Sequence, residues 1–209
     1  MIIWLASYPK SGNTWVRSFI SSLLYTSDGN VNLSELGRIT QFPARYQFKD
    51  FVDDLQDVKK IYQNWDRVQN YLNLDNKIKF LKTHHVNCKI ENYNFTNDNS
   101  SLGAIYIVRD PRNVACSVKN HFSFESYEEV KNFLFREHNW LGIITDKNVK
   151  PMENKIPTLI SSWKTHYLSW KNKTKNYLLI KYENLLENPY KEFSKISNYL
   201  ENHLSRNFD

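Results

Sequence analysis

Residues 2–7, IIWLAS, are apolar almost throughout and break at once into YPKSGN and then TWVRSFISSLLY. No other stretch constrains the fold as tightly. A continuous apolar run this short reads as a strand covered on both faces. Beyond it Trp15, Val16, Phe19, Ile20, Leu23 and Leu24 fall at helical spacing. A buried strand, a polar turn containing Gly12 and a helix form the opening unit of an α/β domain. Backbone N–H groups gather at the start of that helix, where an anion is held readily.

The rest of the chain repeats the alternation. Residues 77–85, KIKFLKTHH, read as a second strand with a polar end, and residues 102–122 read as a third strand feeding a helix. Asp110 before Pro111 predicts an N-cap with proline at the first helical position. Ser126 and Glu129 stand at capping-box spacing. Residues 158–173 are a helix candidate, residues 177–181 a strand, and Asn188–Pro189 starts a last helix with Phe193, Ile196 and Leu200 on one face. Residues 28–75 carry helical patterning without clear boundaries. The expectation is a single α/β domain over 1–209: three layers, with a central, mostly parallel sheet and helices on both faces.

At 209 residues the chain is long enough for one ordinary core, and 41% apolar with 24% charged residues is a globular mixture. A net charge of +6 suits an anionic ligand. It is too dispersed for nucleic acid, because no stretch is a dense Lys/Arg block with interleaved aromatics. The 15% aromatic content serves a core or a stack on a purine. Cys88 and Cys116 are too far apart in sequence to read as a disulfide framework or zinc site. A reducing compartment, and so a cytoplasmic placement, is expected. The opening apolar run is far below the ~20 residues of a membrane span, so none is expected there.

In open parallel sheets ligands sit beyond the carboxyl ends of the strands, and three polar motifs fall at such ends. In YPKSGNTW, Gly12 permits close backbone approach, Lys10 supplies a point charge, and Ser11, Asn13 and Thr14 supply donors. The lysine precedes the glycine by two positions, which does not match a triphosphate loop. In LKTHH, His84 or His85 suits proton transfer near neutral pH. Adjacent residues at a strand end point opposite ways, so at most one of them serves a given site. In IVRDPRNVACS, Arg109 and Ser117 suit an isolated phosphate. Each motif also has a plain structural explanation: a helix-starting turn, a surface or core histidine, or an Arg109–Asp110 ion pair.

Together these motifs resemble the sulfotransferase family that uses 3′-phosphoadenosine-5′-phosphosulfate (PAPS). YPKSGNTW looks like its 5′-phosphosulfate loop, KTHH like the segment carrying its base, IYIVRDPRNVACS like its 3′-phosphate segment, and IKYENLLENP like a segment near adenine. The resemblance covers about residues 2–201. It implies that Lys10, Ser11, Gly12, Asn13 and Thr14 hold the 5′-phosphate, and that Trp15 stacks on or flanks the adenine, with Tyr182 also in contact. It further implies that Arg109 and Ser117 hold the 3′-phosphate, and that His84 is the base, with Lys82 nearby and His85 a spare. Lys10 would also steady the leaving nucleotide.

PAPS is then the co-substrate, no metal is expected, and the acceptor is a small molecule, sugar or lipid shaped by residues 28–75 and 122–160. Family members usually carry a further C-terminal R-K-G segment. Asp209 ends the given sequence without one, so a truncated or minimal member is expected. The competing readings are a non-catalytic nucleotide-binding remnant of the same fold and a phosphate-loop kinase or nucleotide hydrolase.

Overall fold

The computed structural model describes residues 1–31, 33–143, 156–173 and 175–204. Five strands form one sheet among them. We number these β1 (Ile2–Ser7), β2 (Thr40–Gln41), β3 (Lys79–Thr83), β4 (Ser101–Val108) and β5 (Tyr177–Lys181). Their order is β2-β3-β1-β4-β5, and every pairing is parallel. The seven helices used below are α1 (Asn13–Tyr25), α2 (Trp65–Leu72), α3 (Pro111–Phe122), α4 (Tyr127–Phe135), α5 (Trp163–Lys173), α6 (Tyr182–Glu187) and α7 (Pro189–Leu204).

The apolar runs become central strands because alternate residues feed opposite faces. Ile2, Trp4 and Ala6 of β1 join Ala104 and Tyr106 of β4 in one core, covered by Trp65 and Val68 of α2 and Trp170 of α5. Ile3 and Leu5 join Ile105 and Ile107 in the other, covered by Val16 and Ile20 of α1, Leu185 of α6, and Ile196 and Leu200 of α7. Trp4 has no exposed surface and meets Phe42, Phe95 and Trp170 within 6.1 Å between ring centroids. Burying one such large apolar side chain stabilises the fold by about 1.5–3 kcal/mol. The expected three-layer α/β architecture is what the chain adopts.

Local signals hold, with three corrections. Asp110 caps α3 by accepting from the Arg112 N–H at 2.8 Å, with Pro111 following it. Ser126 caps α4 through the Glu129 N–H at 3.2 Å, but the Glu129 carboxylate accepts from the N–H of Glu125, one residue outside the cap. The expected strand at 77–85 is shorter, and both histidines lie beyond its end. The helix expected over 158–173 begins only at Trp163. Thr158–Leu159 pairs antiparallel with Trp140–Leu141, and Ser161 in left-handed backbone (φ 57) separates the two elements. The two-residue β2 was not foreseen, because so short an edge strand shows no alternation. Among the described residues no helix is long and apolar enough to cross a membrane.

Candidate functional site

The turn between β1 and α1 is built by two residues in left-handed backbone, Lys10 (φ 66) and Gly12 (φ 95). Such a conformation is ordinary for glycine and costly for lysine. Gly12 also has no room for a side chain, since an added Cβ would overlap the Tyr182 ring. α1 then starts without a side-chain cap and without an acidic residue in its first turn. Helix starts leave N–H groups unpaired and carry partial positive charge, so this end is receptive to an anion. The Asn13 amide donates to the Leu5 carbonyl at 3.1 Å and to Ser7 Oγ at 3.2 Å, tying the helix start to the strand end. Ser11 is 1% exposed, and its hydroxyl has no partner among the described residues.

The two histidines separate. His85 is fully buried, stacked on Phe95 at 4.3 Å and edge-on to Trp65. His84 faces a cavity of about 760 Å³. Its Nδ1 lies 2.7 Å from the Ser7 carbonyl oxygen. A carbonyl only accepts, so Nδ1 carries the hydrogen and Nε2 is left as the ring's acceptor. Burial, and then the nearby Lys82 charge, lower the His84 pKa to about 3 and keep the imidazole neutral. Lys82 Nζ donates to Gln41 Oε1 at 3.3 Å.

Arg109 does not pair with Asp110, whose carboxylate is held by Arg112. Its Nη1 donates to the Lys10 carbonyl at 3.0 Å, and its guanidinium lies over the Tyr182 ring, 4.4 Å from the centroid. Its Nε is buried with no partner among the described residues. The strand-end arginine therefore braces the turn and still has hydrogen-bonding capacity left for a ligand.

Lys10, Gly12, Asn13, Thr14, His84, Arg109, Ser117 and Tyr182 all line this one cavity, together with Lys82. Ser11, buried in the same turn, is not part of the lining. Trp15 stands outside the lining, edge-on to Phe193 and to Tyr182. Of the lining residues not singled out from the sequence, Gln41 lies in the stretch 28–75 and Phe122, Leu141, Gly142, Ile143, Ile156 and Thr158 in the stretch 122–160 expected to shape the acceptor site, while His121 lies in neither. His121 was findable, since it follows Ser117 by four positions on α3, on the same helix face. Phe122 ends α3, and the others stand on short strands or loops without periodic signal. Residues 144–155, within the stretch expected to shape the acceptor site, lie outside the described residues. Among the described residues no group of three or more His, Cys, Asp and Glu could hold a metal.

Comparison with solved structures finds the same fold. The chain superposes on a mouse sulfotransferase, SULT7A1, complexed with PAP at a TM-score of 0.54 and 23% identity, covering 95% of this chain and 57% of that one. It superposes on retinol dehydratase in complex with retinol and PAP at a TM-score of 0.54 and 16% identity, covering 95% and 59%. A second retinol dehydratase structure, with androsterone and inactive cofactor PAP, gives 0.51 at 16% identity over the same shares. The chain thus spans less than two thirds of the length of each. The sequence pattern of the family described as the sulfotransferase domain matches residues 2–207. A match over nearly the whole chain settles the kinship: this protein belongs to the sulfotransferase domain family.

Proposed function

We propose that the protein transfers a sulfuryl group from PAPS to a hydroxyl or amine of a small-molecule, sugar or lipid acceptor. One observation carries the reading: three motifs spread along the chain between Lys10 and Ser117 converge on one cavity at the strand ends. The α1 start with Lys10, Ser11, Gly12, Asn13 and Thr14 holds the 5′-phosphosulfate. The unpartnered Ser11 hydroxyl and Arg109 Nε fit an anionic ligand, and Arg109 with Ser117 takes the 3′-phosphate. Tyr182 forms the adenine wall, and Trp15 flanks it from behind.

The acceptor oxygen attacks sulfur in line, so the new O–S bond forms as the bridging O–S bond breaks. The leaving nucleotide departs with that electron pair, steadied by Lys10, and the acceptor's proton passes to His84 Nε2. The negative charge of the bound nucleotide raises the pKa of His84 from its low resting value, making it a better base. A preorganised donor in such a site is worth about 3–4 kcal/mol. Sulfuryl transfer develops less negative charge than phosphoryl transfer, so one lysine and a set of N–H donors can serve without a metal ion.

Calorimetry with the desulfated nucleotide PAP and with ATP–Mg²⁺ tests the reading. The expected result is that PAP binds, ATP–Mg²⁺ binds far more weakly, and Lys10→Ala lowers sulfuryl transfer roughly 10²–10³-fold with no sensitivity to EDTA. Properly folded protein that takes up no PAP would overturn it. PAP binding without transfer to any of a broad acceptor panel would favour a non-catalytic binding protein.

A further inference from the structure

His84 stands one residue past the last residue of β3, where the sheet ladder no longer holds the chain. Its backbone and that of the next three residues still need partners. One face of α5 supplies three of them. His166 Nε2 lies 3.1 Å from the His84 carbonyl, Trp170 Nε1 donates to the His85 carbonyl at 3.0 Å, and the Asn87 N–H donates to Ser169 Oγ at 3.0 Å. These three residues stand at i, i+3 and i+4, the spacing that shares a helix face. The start of α5 is itself pinned, because the Glu137 carboxylate accepts from the hydroxyls of Ser161, Ser162 and Thr165 at 2.8–2.9 Å.

His166 has no exposed surface. Its Nε2 faces a carbonyl and therefore carries the hydrogen, which leaves Nδ1 to accept from the Tyr106 hydroxyl at 2.8 Å. Tyr106 is itself buried in the sheet, and the Tyr8 ring lies against the His166 imidazole at 5.5 Å. The imidazole is thus held on both nitrogens and from one side. His84 in turn is held at two points, its ring by the Ser7 carbonyl and its backbone by His166. Two fixed points define the direction of Nε2 in a way that one does not.

We propose that His166 is the positioning residue of the base: by donating to the His84 carbonyl it fixes the ring, and with it the Nε2 lone pair, toward the cavity. The inference rests on the sulfuryl-transfer reading for its importance, while the geometry it asserts can be measured without an acceptor. Only His166 among the clamp residues acts on the base itself; Trp170 and Ser169 hold its neighbours. The chain signals it as WKTHYLSW, a histidine with a serine and a tryptophan at i+3 and i+4.

The test uses full-length protein with ¹⁵N-labelled histidine, as wild type, His166→Phe and His166→Gln. Phe keeps the bulk and loses the donor. Gln places an amide nitrogen where Nε2 stood and restores it. Two-bond ¹H–¹⁵N spectra report the His84 tautomer, and calorimetry with PAP reports whether the fold and nucleotide site survive. The expected outcome is that wild type and His166→Gln show a single Nδ1–H tautomer at His84. In His166→Phe the two His84 nitrogen shifts move toward each other as tautomers mix, with PAP affinity unchanged. Wild-type His84 shifts in His166→Phe would overturn the inference, reducing His166 to packing. So would equal loss of PAP binding in both variants, because the glutamine rescue would have failed. Wild type that binds no PAP yet shows the expected His84 shifts would sink the sulfuryl-transfer reading and leave the clamp standing.

Discussion

The cavity lining has two parts made in different ways. The polar part, to which we assign the anion, comes from two strand–turn–helix units, β1–α1 and β4–α3, together with Tyr182 at the start of α6. Its residues stand in short motifs: Lys10 with Gly12, Asn13 and Thr14, and Arg109 with Ser117. The apolar part comes from Phe122, Leu141, Ile143 and Ile156, which share no motif. The difference is physical. Holding an anion needs N–H groups, a cation and a turn in register, and few sequences at a strand end provide all three. An apolar wall needs only bulk at the right place, which many residues supply equally well.

Several substitutions would break or sharpen this contrast. The largest effect is expected at the base. His84→Ala should lower turnover about 10²–10⁴-fold and leave PAP affinity intact in calorimetry. His85→Ala should chiefly lower thermal stability, because it removes a ring stacked on Phe95 and edge-on to Trp65. The reverse pattern would show that the wrong histidine has been assigned.

Arg109→Lys comes next. It removes the planar donor set that spans the Lys10 carbonyl and the ligand, and should weaken PAP binding roughly 10–100-fold. Affinity for a nucleotide lacking the 3′-phosphate should change little. Equal losses for both nucleotides would mean that Arg109 serves only as a brace for the turn. Smaller still, Leu141→Ala or Ile143→Ala should raise the KM of an apolar acceptor such as 2-naphthol several-fold. Each lost methylene is worth about 0.8 kcal/mol, and PAP affinity should stay the same. A matching fall in PAP affinity would deny that the two parts of the lining are independent.

The mildest effect concerns acid. His84, His85 and His166 each have a pKa lowered to about 3, first of all by burial. An unfolded imidazole takes up its proton near pH 6.5, so between those values the unfolded chain binds more protons than the folded one. Stability contributed by these groups is fully present above about pH 6.5 and is lost as pH falls toward 3. The melting temperature should therefore hold above neutrality and fall toward pH 5, less steeply in His85→Phe. A flat profile would mean that the rings are hydrated in the folded protein.

Much of this molecule is legible without coordinates. The run IIWLAS, the turn after it and the spacing of Trp15 through Leu24 specify a central strand, an anion-receptive helix start and a helix facing the sheet. They do so because hydrophobic period and turn chemistry are local properties. Asp110–Pro111 and Asn188–Pro189 mark helix starts for the same reason. The motif order along the chain was enough to point to the family.

Other features are long-range and no local pattern encodes them. Whether His84 or His85 meets the cavity depends on where β3 ends and on the aromatic core that receives His85. Gln41 reaches the site only because a two-residue strand adds to the sheet edge. His166 matters only because α5 lies across the turn that follows β3, eighty-two residues away in sequence. The sequence by itself determined which elements form and which of them can hold an anion. The tertiary structure decided which side chains meet and what keeps the candidate base pointing one way, because contacts between distant residues depend on packing rather than on spacing.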